Sequence, residues 1–205
     1  MSVHKAIAIP IVDTGTQKKF LIVHDKRHKE WTFVTGGCKH SEVFNPLRCA
    51  LRELEEETRG IIDIQRGLYS YFRFSAQPGN DPIEYSVYHV YFIHIGYVPQ
   101  EKLNHLEERF HTEKMKMDTH QVYFQKNYDE NDSMKFATLG DIMACKNLWK
   151  FIYDRVIKHR QFLVSISEKN AHHFNLTYTI RYDENKKRDY RNYKPTQRQR
   201  QYTGT

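Results

Sequence analysis

What most constrains this chain is a trio of glutamates, Glu53, Glu56 and Glu57, on a segment that reads as helix. Asn45-Pro46 is a strong helix start: an N-cap residue type, then the residue preorganised for the first helical position. Leu47, Ala50, Leu51 and Leu54 follow at helical spacing and give one apolar face, and Gly60 supplies a stop. On that helix the three carboxylates stand at i, i+3 and i+4 and share one patch. Like charges so close repel one another unless a cation sits among them. Magnesium prefers carboxylate oxygens, keeps several waters and takes phosphate oxygens into its shell. A carboxylate cluster at the end of the Gly36-Gly37 loop therefore suits a diphosphate held through metal ions, where a metal can polarise phosphorus-bound oxygen and activate water. A run such as LEEE alone usually marks a solvated helix face. The strand, glycine pair, helix start and Arg52-Glu53 dipeptide ahead of it set this one apart.

The rest of the chain frames that helix. Residues 5–12 and 19–24 are rich in Ile and Val and read as strands, with Asp13-Thr14-Gly15 as the turn of a hairpin. Residues 31–34 read as a short strand running into Gly36-Gly37, a pair that permits a tight loop. Residues 68–75 and 85–95 read as further strands around a loop at 77–82. The second is apolar on both faces and belongs in the middle of a sheet covered on both sides. Residues 100–118 are charged and read as a solvent-facing insertion, helical if ordered. Residues 121–125 and 134–138 are short strand candidates with an acidic loop, 128–133, between the two. Residues 141–159 read as a closing helix with Leu148, Phe151, Ile152 and Val156 on one side. Beyond it Phe174, Leu176, Tyr178, Ile180 and Tyr182 alternate with polar residues, as one added edge strand would. The stretch 186–205 is polar and basic with interleaved tyrosines, and reads as disordered or ordered only by a partner. The expected division is a folded domain over 1–165 and a basic, Tyr-containing extension over 166–205, partly disordered.

Hydrophobic residues make up 39% of the chain and aromatics 14%, enough for a sizeable core. The net charge of +7 favours polyanions such as RNA, DNA, nucleotides or anionic lipid, although it also serves solubility. Cys38, Cys49 and Cys145 are few, odd in number and widely spaced. They form neither a disulfide framework nor a paired metal motif, and read as buried small hydrophobes in a reducing compartment. Pro10 and Asp13 interrupt the short apolar run near the start, and no stretch is long enough to span a bilayer. The expectation is a soluble, cytoplasmic protein.

WTFVTGG followed by RELEEET resembles the Nudix signature: Gly, five residues, Glu, seven residues, then Arg-Glu-U-x-Glu-Glu-x-Gly-U, where U is bulky and aliphatic. The match over residues 52–58 is complete. Glu42 lies at the family spacing from Gly36, but nine residues rather than seven separate it from Arg52. The closing Gly60-Ile61 is displaced by one through Arg59, and Thr35 stands where many members have Pro. The resemblance spans roughly residues 3–160. It implies an α/β fold, an α/β/α sandwich around a mixed β-sheet, and hydrolysis of a pyrophosphate bond with Mg2+ or Mn2+. It implies Glu53, Glu56 and Glu57 as metal ligands, with Gly37 and the backbone near Cys38 and Lys39 bordering the metal. Arg52 would orient Glu42 or Glu53 by a bidentate contact. In many members a further acidic residue acts as base from a late loop. Glu130, six residues before Phe136, fits that place, with Asp129 and Asp132 as competitors.

The substrate is less sharply marked. The chain also resembles the mRNA-decapping Nudix enzymes of large DNA viruses, in its RELEEE helix and the long insertion before its last strands. Its basic charge and a tail mixing Lys and Arg with Tyr190, Tyr193 and Tyr202 suit phosphate contact and base stacking. Trp31, Tyr71 and Phe72 could stack a methylated guanine, although core packing is the plainer reading of each. Three functions stand side by side. The first is hydrolysis of the 5′ cap of mRNA with release of m7GDP. The second is hydrolysis of small nucleoside diphosphate derivatives, dinucleoside polyphosphates or diphosphoinositol polyphosphates. The third is a catalytically silent, RNA-binding Nudix scaffold, against which the intact glutamate trio argues.

Overall fold

The Ile- and Val-rich run near the N-terminus becomes the axis of the molecule. In the computed structural model, which describes residues 3–64, 68–76, 86–119 and 126–157, it forms β1 (Val3–Asp13), buried without a break from Ala6 to Val12. Such continuous burial requires cover on both faces. β2 (Lys18–Asp25) folds back on β1 in antiparallel register, Ile11 opposite Phe20 and Asp13 opposite Lys18. Between them Gly15 has φ +85° and donates its N–H to Asp13 Oδ1 at 2.7 Å, the expected turn.

The short third strand is in fact two. β3 (Trp31–Thr32) pairs with β2, and β4 (Val34–Gly37) crosses to pair with β1, Ala8 opposite Val34 and Lys5 opposite Gly37. Gly36 and Gly37 are therefore strand residues with no positive φ, not the tight loop expected of them. α1 (Pro46–Glu57) starts where the sequence indicates, although Asn45 makes no side-chain cap bond. β5 (Leu68–Ala76) and β6 (Ser86–Tyr97) are antiparallel, and β6 runs parallel to β1 along its length. α2 (Gln100–Asp118) follows, then β7 (Asn131–Ala137), which pairs with β2 and takes residues 131–133 out of the expected acidic loop. The sheet runs β3-β2-β1-β6-β5, with β4 also on β1 and β7 also on β2.

Alternation along the strands feeds two cores. Ala6, Ala8, Leu21, Val23 and Val34 pack under Cys49, Ala50 and Leu54 of α1 and Leu103, Leu106 and Phe110 of α2. Ile7, Ile9, Phe20, Ile22 and Phe92 pack on the other face against Ile142 of α3 (Leu139–Ala144) and Ile152 of α4 (Lys150–Arg155). This is the expected α/β/α sandwich on a mixed sheet. Two elements depart from expectation. α2 is not a purely solvent-facing insertion, since its apolar stripe is buried in the first core. The single closing helix is broken in two, because Asn147 O accepts from Trp31 N at 2.7 Å and Trp149 N donates to Trp31 O at 2.8 Å. Those groups are committed to the sheet edge, and Leu148 bridges Trp31 instead of lying on a helix.

All three cysteines are free, but only Cys49 is buried; Cys38 and Cys145 are half-buried. No helix among the described residues is long and apolar enough to cross a membrane. The strand expected at 121–125, the edge strand at 174–182 and the extension over 166–205 lie outside the described residues.

Candidate active site

α1 packs across β1 and β4 and turns its carboxylates toward the β4 backbone. Glu53 lies directly over Gly36: a Cβ there would stand 1.9 Å from Glu53 Cδ and within 2.3 Å of both its oxygens. Gly36 is required by this close approach rather than by a turn. Glu57 is almost wholly buried. Its Oε1 accepts from Thr35 N at 3.1 Å and its Oε2 from Asn131 Nδ2 at 2.9 Å. A proline at position 35 would have no N–H to give. Burial, with the nearby charges of Glu53 and Glu130 adding to it, pushes the Glu57 carboxyl well above the usual range despite those bonds. Burial raises Glu53 as well, against the opposing pull of Arg52.

Arg52 is the hub. Its Nε and Nη2 donate to the two oxygens of Glu42 at 2.8 and 2.9 Å. Nη1 donates to Glu56 Oε2 at 2.9 Å and lies 2.7 Å from Glu53 Oε1, while Nη2 also reaches Gly37 O at 2.9 Å. The bidentate partner left open by the sequence is thus Glu42. A 3-10 turn, His40–Glu42, places Glu42 beneath the guanidinium, and the lengthened connection after it begins with a turn in which Asn45 N donates to Glu42 O at 2.8 Å. Glu42 is 4% exposed. Arg52, helped by the Lys39 N–H at 2.8 Å, holds its carboxyl down to about 2. Glu42 anchors Arg52, and Arg52 in turn ties together the Glu56 and Glu53 carboxylates and the Gly37 carbonyl.

The three late acids separate cleanly. Asp129 pairs with Lys26 at 2.6 Å, and Asp132 with His24 at 2.5 Å and Lys29 at 3.1 Å. Glu130 is exposed, and its charge acts on both Glu53 and Glu57. Lys39 is exposed on the loop beside Gly37. Trp31 does not join the cluster. It packs with the second core on the opposite face from α1, its ring 5.1 Å from His24 and beneath Lys135 Nζ at 4.1 Å. Phe72 packs on that same far face, whereas Tyr71 is exposed on the α1 side.

Two residues escaped the sequence reading. Asn131, 2% exposed, bonds Glu57 from the first position of β7. Arg59, in the left-handed region at φ +57°, is buried with its guanidinium 3.9 Å over the Phe110 ring and donates through Nη2 to Asn131 O. Its Nε and Nη1 have no hydrogen-bond partner among the described residues, and burial lowers it to about 10. The only signal was Arg59 itself, the extra residue before Gly60.

The donor set is all oxygen, the chemistry that hard cations such as Mg2+ prefer. Burial is the main reason the Glu53 and Glu57 carboxyls hold protons more tightly, and the charges of neighbouring carboxylates add to it. Among the described residues no three acidic, His or Cys side chains meet at one point as a finished metal centre; Glu53 and Glu56 meet on Arg52, and Glu57 is held apart by Thr35 and Asn131.

A family model for the NUDIX domain matches residues 3–136. No curated protein matches the chain by sequence. Among solved structures, the NUDIX domain of Shewanella oneidensis NrtR complexed with ADP ribose is 14% identical over 80% of this chain and 89% of that one, with a TM-score of 0.53. The C. elegans Ap4A hydrolase binary complex is 15% identical over 80% and 98% of the two chains, with a TM-score of 0.48. The MutT protein from Methanosarcina mazei Go1 is 16% identical over 80% and 95%, with a TM-score of 0.48. At such identities the first of these likenesses bears on the fold alone.

Proposed function

Because this chain belongs to the Nudix hydrolase family, we propose that its α1 carboxylates hold Mg2+ or Mn2+ and that it hydrolyses a pyrophosphate bond, with the 5′ cap of mRNA as substrate and m7GDP as the released product. The observation that carries the hydrolytic part is the seating of the α1 glutamates along β4: Glu53 over the bare backbone of Gly36, Glu57 on Thr35 N, and Glu56 on the Arg52 guanidinium that also holds the Gly37 carbonyl. Glu53, Glu56 and Glu57, with the Gly37 carbonyl, would hold the metal. When bound, the cation neutralises the phosphate oxygens and favours ionisation of the attacking water.

The chain's own groups divide the remaining work. Arg52 keeps Glu53 and Glu56 oriented, and Glu42 keeps Arg52 in place. Thr35 N and Asn131 Nδ2 fix the two oxygens of Glu57, so that its free lone pairs point in set directions. Glu130 is the base: it is exposed where water can reach it, and its charge acts on both Glu53 and Glu57. Its carboxylate takes the proton of the attacking water. The Lys39 ammonium, on the loop beside Gly37, contacts the phosphate chain. Trp31, packed on the far face, has no part in this scheme.

The RNA part rests on the charge of +7 and on the Lys, Arg and Tyr content of residues 186–205. The test is release of labelled m7GDP from cap-labelled RNA with Mg2+ or Mn2+, by wild type and Glu57→Gln, with free nucleotides as competitors. Release lost in Glu57→Gln and poorly competed by free nucleotides supports decapping. Cleavage of dinucleoside polyphosphates or diphosphoinositol polyphosphates, with none of capped RNA, moves the substrate to small molecules. Truncation after residue 183 is expected to impair cleavage of long RNA and spare a capped dinucleotide. Equal effects on both would remove the tail from the account.

A further inference from the structure

On the α1 side of the sheet, β5 and β6 carry a row of rings that the scheme above does not use. Tyr71 stands opposite Tyr91 in the strand register, with ring centres 5.0 Å apart, and Tyr69 meets the edge of Tyr91 at 5.4 Å. Tyr71 also lies nearly parallel to His89, which stacks on His4 at 5.3 Å. Tyr71 is 45% exposed, whereas Tyr91 and His89 are each 5% exposed. A half-exposed tyrosine on a strand ordinarily has its hydroxyl in water. Here the hydroxyl is 2.9 Å from His89 Nδ1, and His89 Nε2 is 3.0 Å from His4 Nδ1.

Burial first, then the neighbouring His4 and Arg73, lowers the His89 imidazole to about 4, so it is neutral at physiological pH. A neutral ring has one donor and one acceptor. One of its nitrogens therefore donates and the other accepts along the chain Tyr71–His89–His4. The Tyr71 ring is thus fixed at its tip by His89 and along its face by Tyr91, while part of its surface stays open. That is a preorganised stacking surface: holding the ring in place before binding removes an ordering cost that a ligand would otherwise meet.

The place of this shelf defines what it can bind. His4 O accepts from Cys38 N at 2.9 Å, and the next residue back, Gly37, has its carbonyl held by Arg52. The shelf and the carboxylate cluster thus lie on the same side of the sheet, linked through His4, Cys38 and Gly37. Arg73, exposed and opposite His89 in the register, adds a cation at the shelf. A flat aromatic surface with a cation beside it, on the same side of the sheet as a diphosphate site, is complementary to a base joined through its sugar to that diphosphate.

We propose that Tyr71, backed by Tyr91 and His89, stacks the nucleobase of the nucleoside diphosphate whose phosphates lie at the α1 carboxylates. This rests on the reading of those carboxylates as the diphosphate site, and it locates the selective half of the substrate on β5 and β6.

The test is equilibrium binding of GDP and of inorganic pyrophosphate, each with Mg2+, to the full chain and to Tyr71→Ala, Tyr71→Phe and Tyr71→Trp. Loss of one base-stacking partner is expected to weaken GDP binding by between about 5- and 150-fold. Tyr71→Ala should show this loss for GDP and none for pyrophosphate. Tyr71→Phe and Tyr71→Trp, which keep a ring, should lose less than Tyr71→Ala. A similar thermal melt for the four proteins identifies the loss as local. GDP binding no tighter than pyrophosphate in the wild type, or equal GDP affinity in wild type and Tyr71→Ala, overturns the shelf. Tight, Tyr71-dependent GDP binding by a chain that cleaves no pyrophosphate substrate would leave the shelf standing and overturn the hydrolase reading alone.

Discussion

Gly36→Ala probes the carboxylate arrangement with one methyl group. Position 36 is in a strand and has no positive φ, so alanine meets no backbone strain there. The obstacle is Glu53, whose Cδ would lie 1.9 Å from the new Cβ. Carbon atoms settle at about 3.5–4.0 Å, so the carboxylate must retreat by roughly 1.6 Å or more. It is the far end of a flexible side chain, and the fold can absorb the shift at a cost of about 1–3 kcal/mol, the usual range for overpacking. The site cannot absorb it so readily, since a displacement of about 1 Å in a catalytic arrangement can cost about a hundredfold in rate. Urea denaturation and the magnesium dependence of pyrophosphate hydrolysis would be measured for Gly36→Ala, Glu53→Gln and the double variant. The expectation is a stable protein with a large loss of kcat. The double variant should be little slower than Glu53→Gln, because both changes act on one carboxylate. Full activity in Gly36→Ala, or losses that simply multiply in the double variant, would refute the argument that Gly36 exists to seat Glu53.

Two further predictions follow from the bonds around the site. Glu42 titrates at about 2 when folded, below the ordinary value for a glutamate. A depressed carboxyl stabilises the fold above its unfolded pKa of about 4.3, and that stability is lost as the pH falls toward 2; up to about 3 kcal/mol is involved. Glu42→Gln should therefore flatten the fall in stability between pH 5 and 2, whereas parallel curves for mutant and wild type would contradict the Arg52 clamp. Asn131→Ala frees one oxygen of Glu57 and removes a buried bond, with an expected cost of about 1–3 kcal/mol. It should lower kcat more than it raises KM; a change in KM alone would assign Asn131 to substrate contact instead.

The helix of the site was legible because its signals are local. Asn45-Pro46 marks the start, the leucines mark the buried face, and the spacing of Glu53, Glu56 and Glu57 puts them on one side whatever surrounds them. The long strands were legible for the same reason, through their unbroken apolar runs. What failed to show depends on partners distant in the chain. Gly36-Gly37 reads as a loop until β1 is known to pair with it and Glu53 to lie above it. The hold of Glu42 on Arg52 crosses an irregular connection that no periodicity encodes. Asn131 has the composition of a loop residue, and only its position opposite Asp25 in the sheet brings it to Glu57. The face on which Trp31 packs was settled by the second core, and the break between α3 and α4 by hydrogen bonds to that same residue. In α2 the signal was present: Leu103, Leu106 and Phe110 recur at helical spacing within a charged sequence, and the charge obscured it.

The central claim is that the α1 carboxylates carry metal-dependent cleavage of a pyrophosphate bond. Its most direct test is product analysis of the capped dinucleotide m7GpppG incubated with wild type or Glu57→Gln, with Mg2+ or Mn2+ and with either cation removed by chelation. The account predicts m7GDP and GMP from the wild type only when a cation is present, and only background cleavage by a folded Glu57→Gln. Equal turnover by Glu57→Gln and wild type, or undiminished cleavage after chelation, would contradict it.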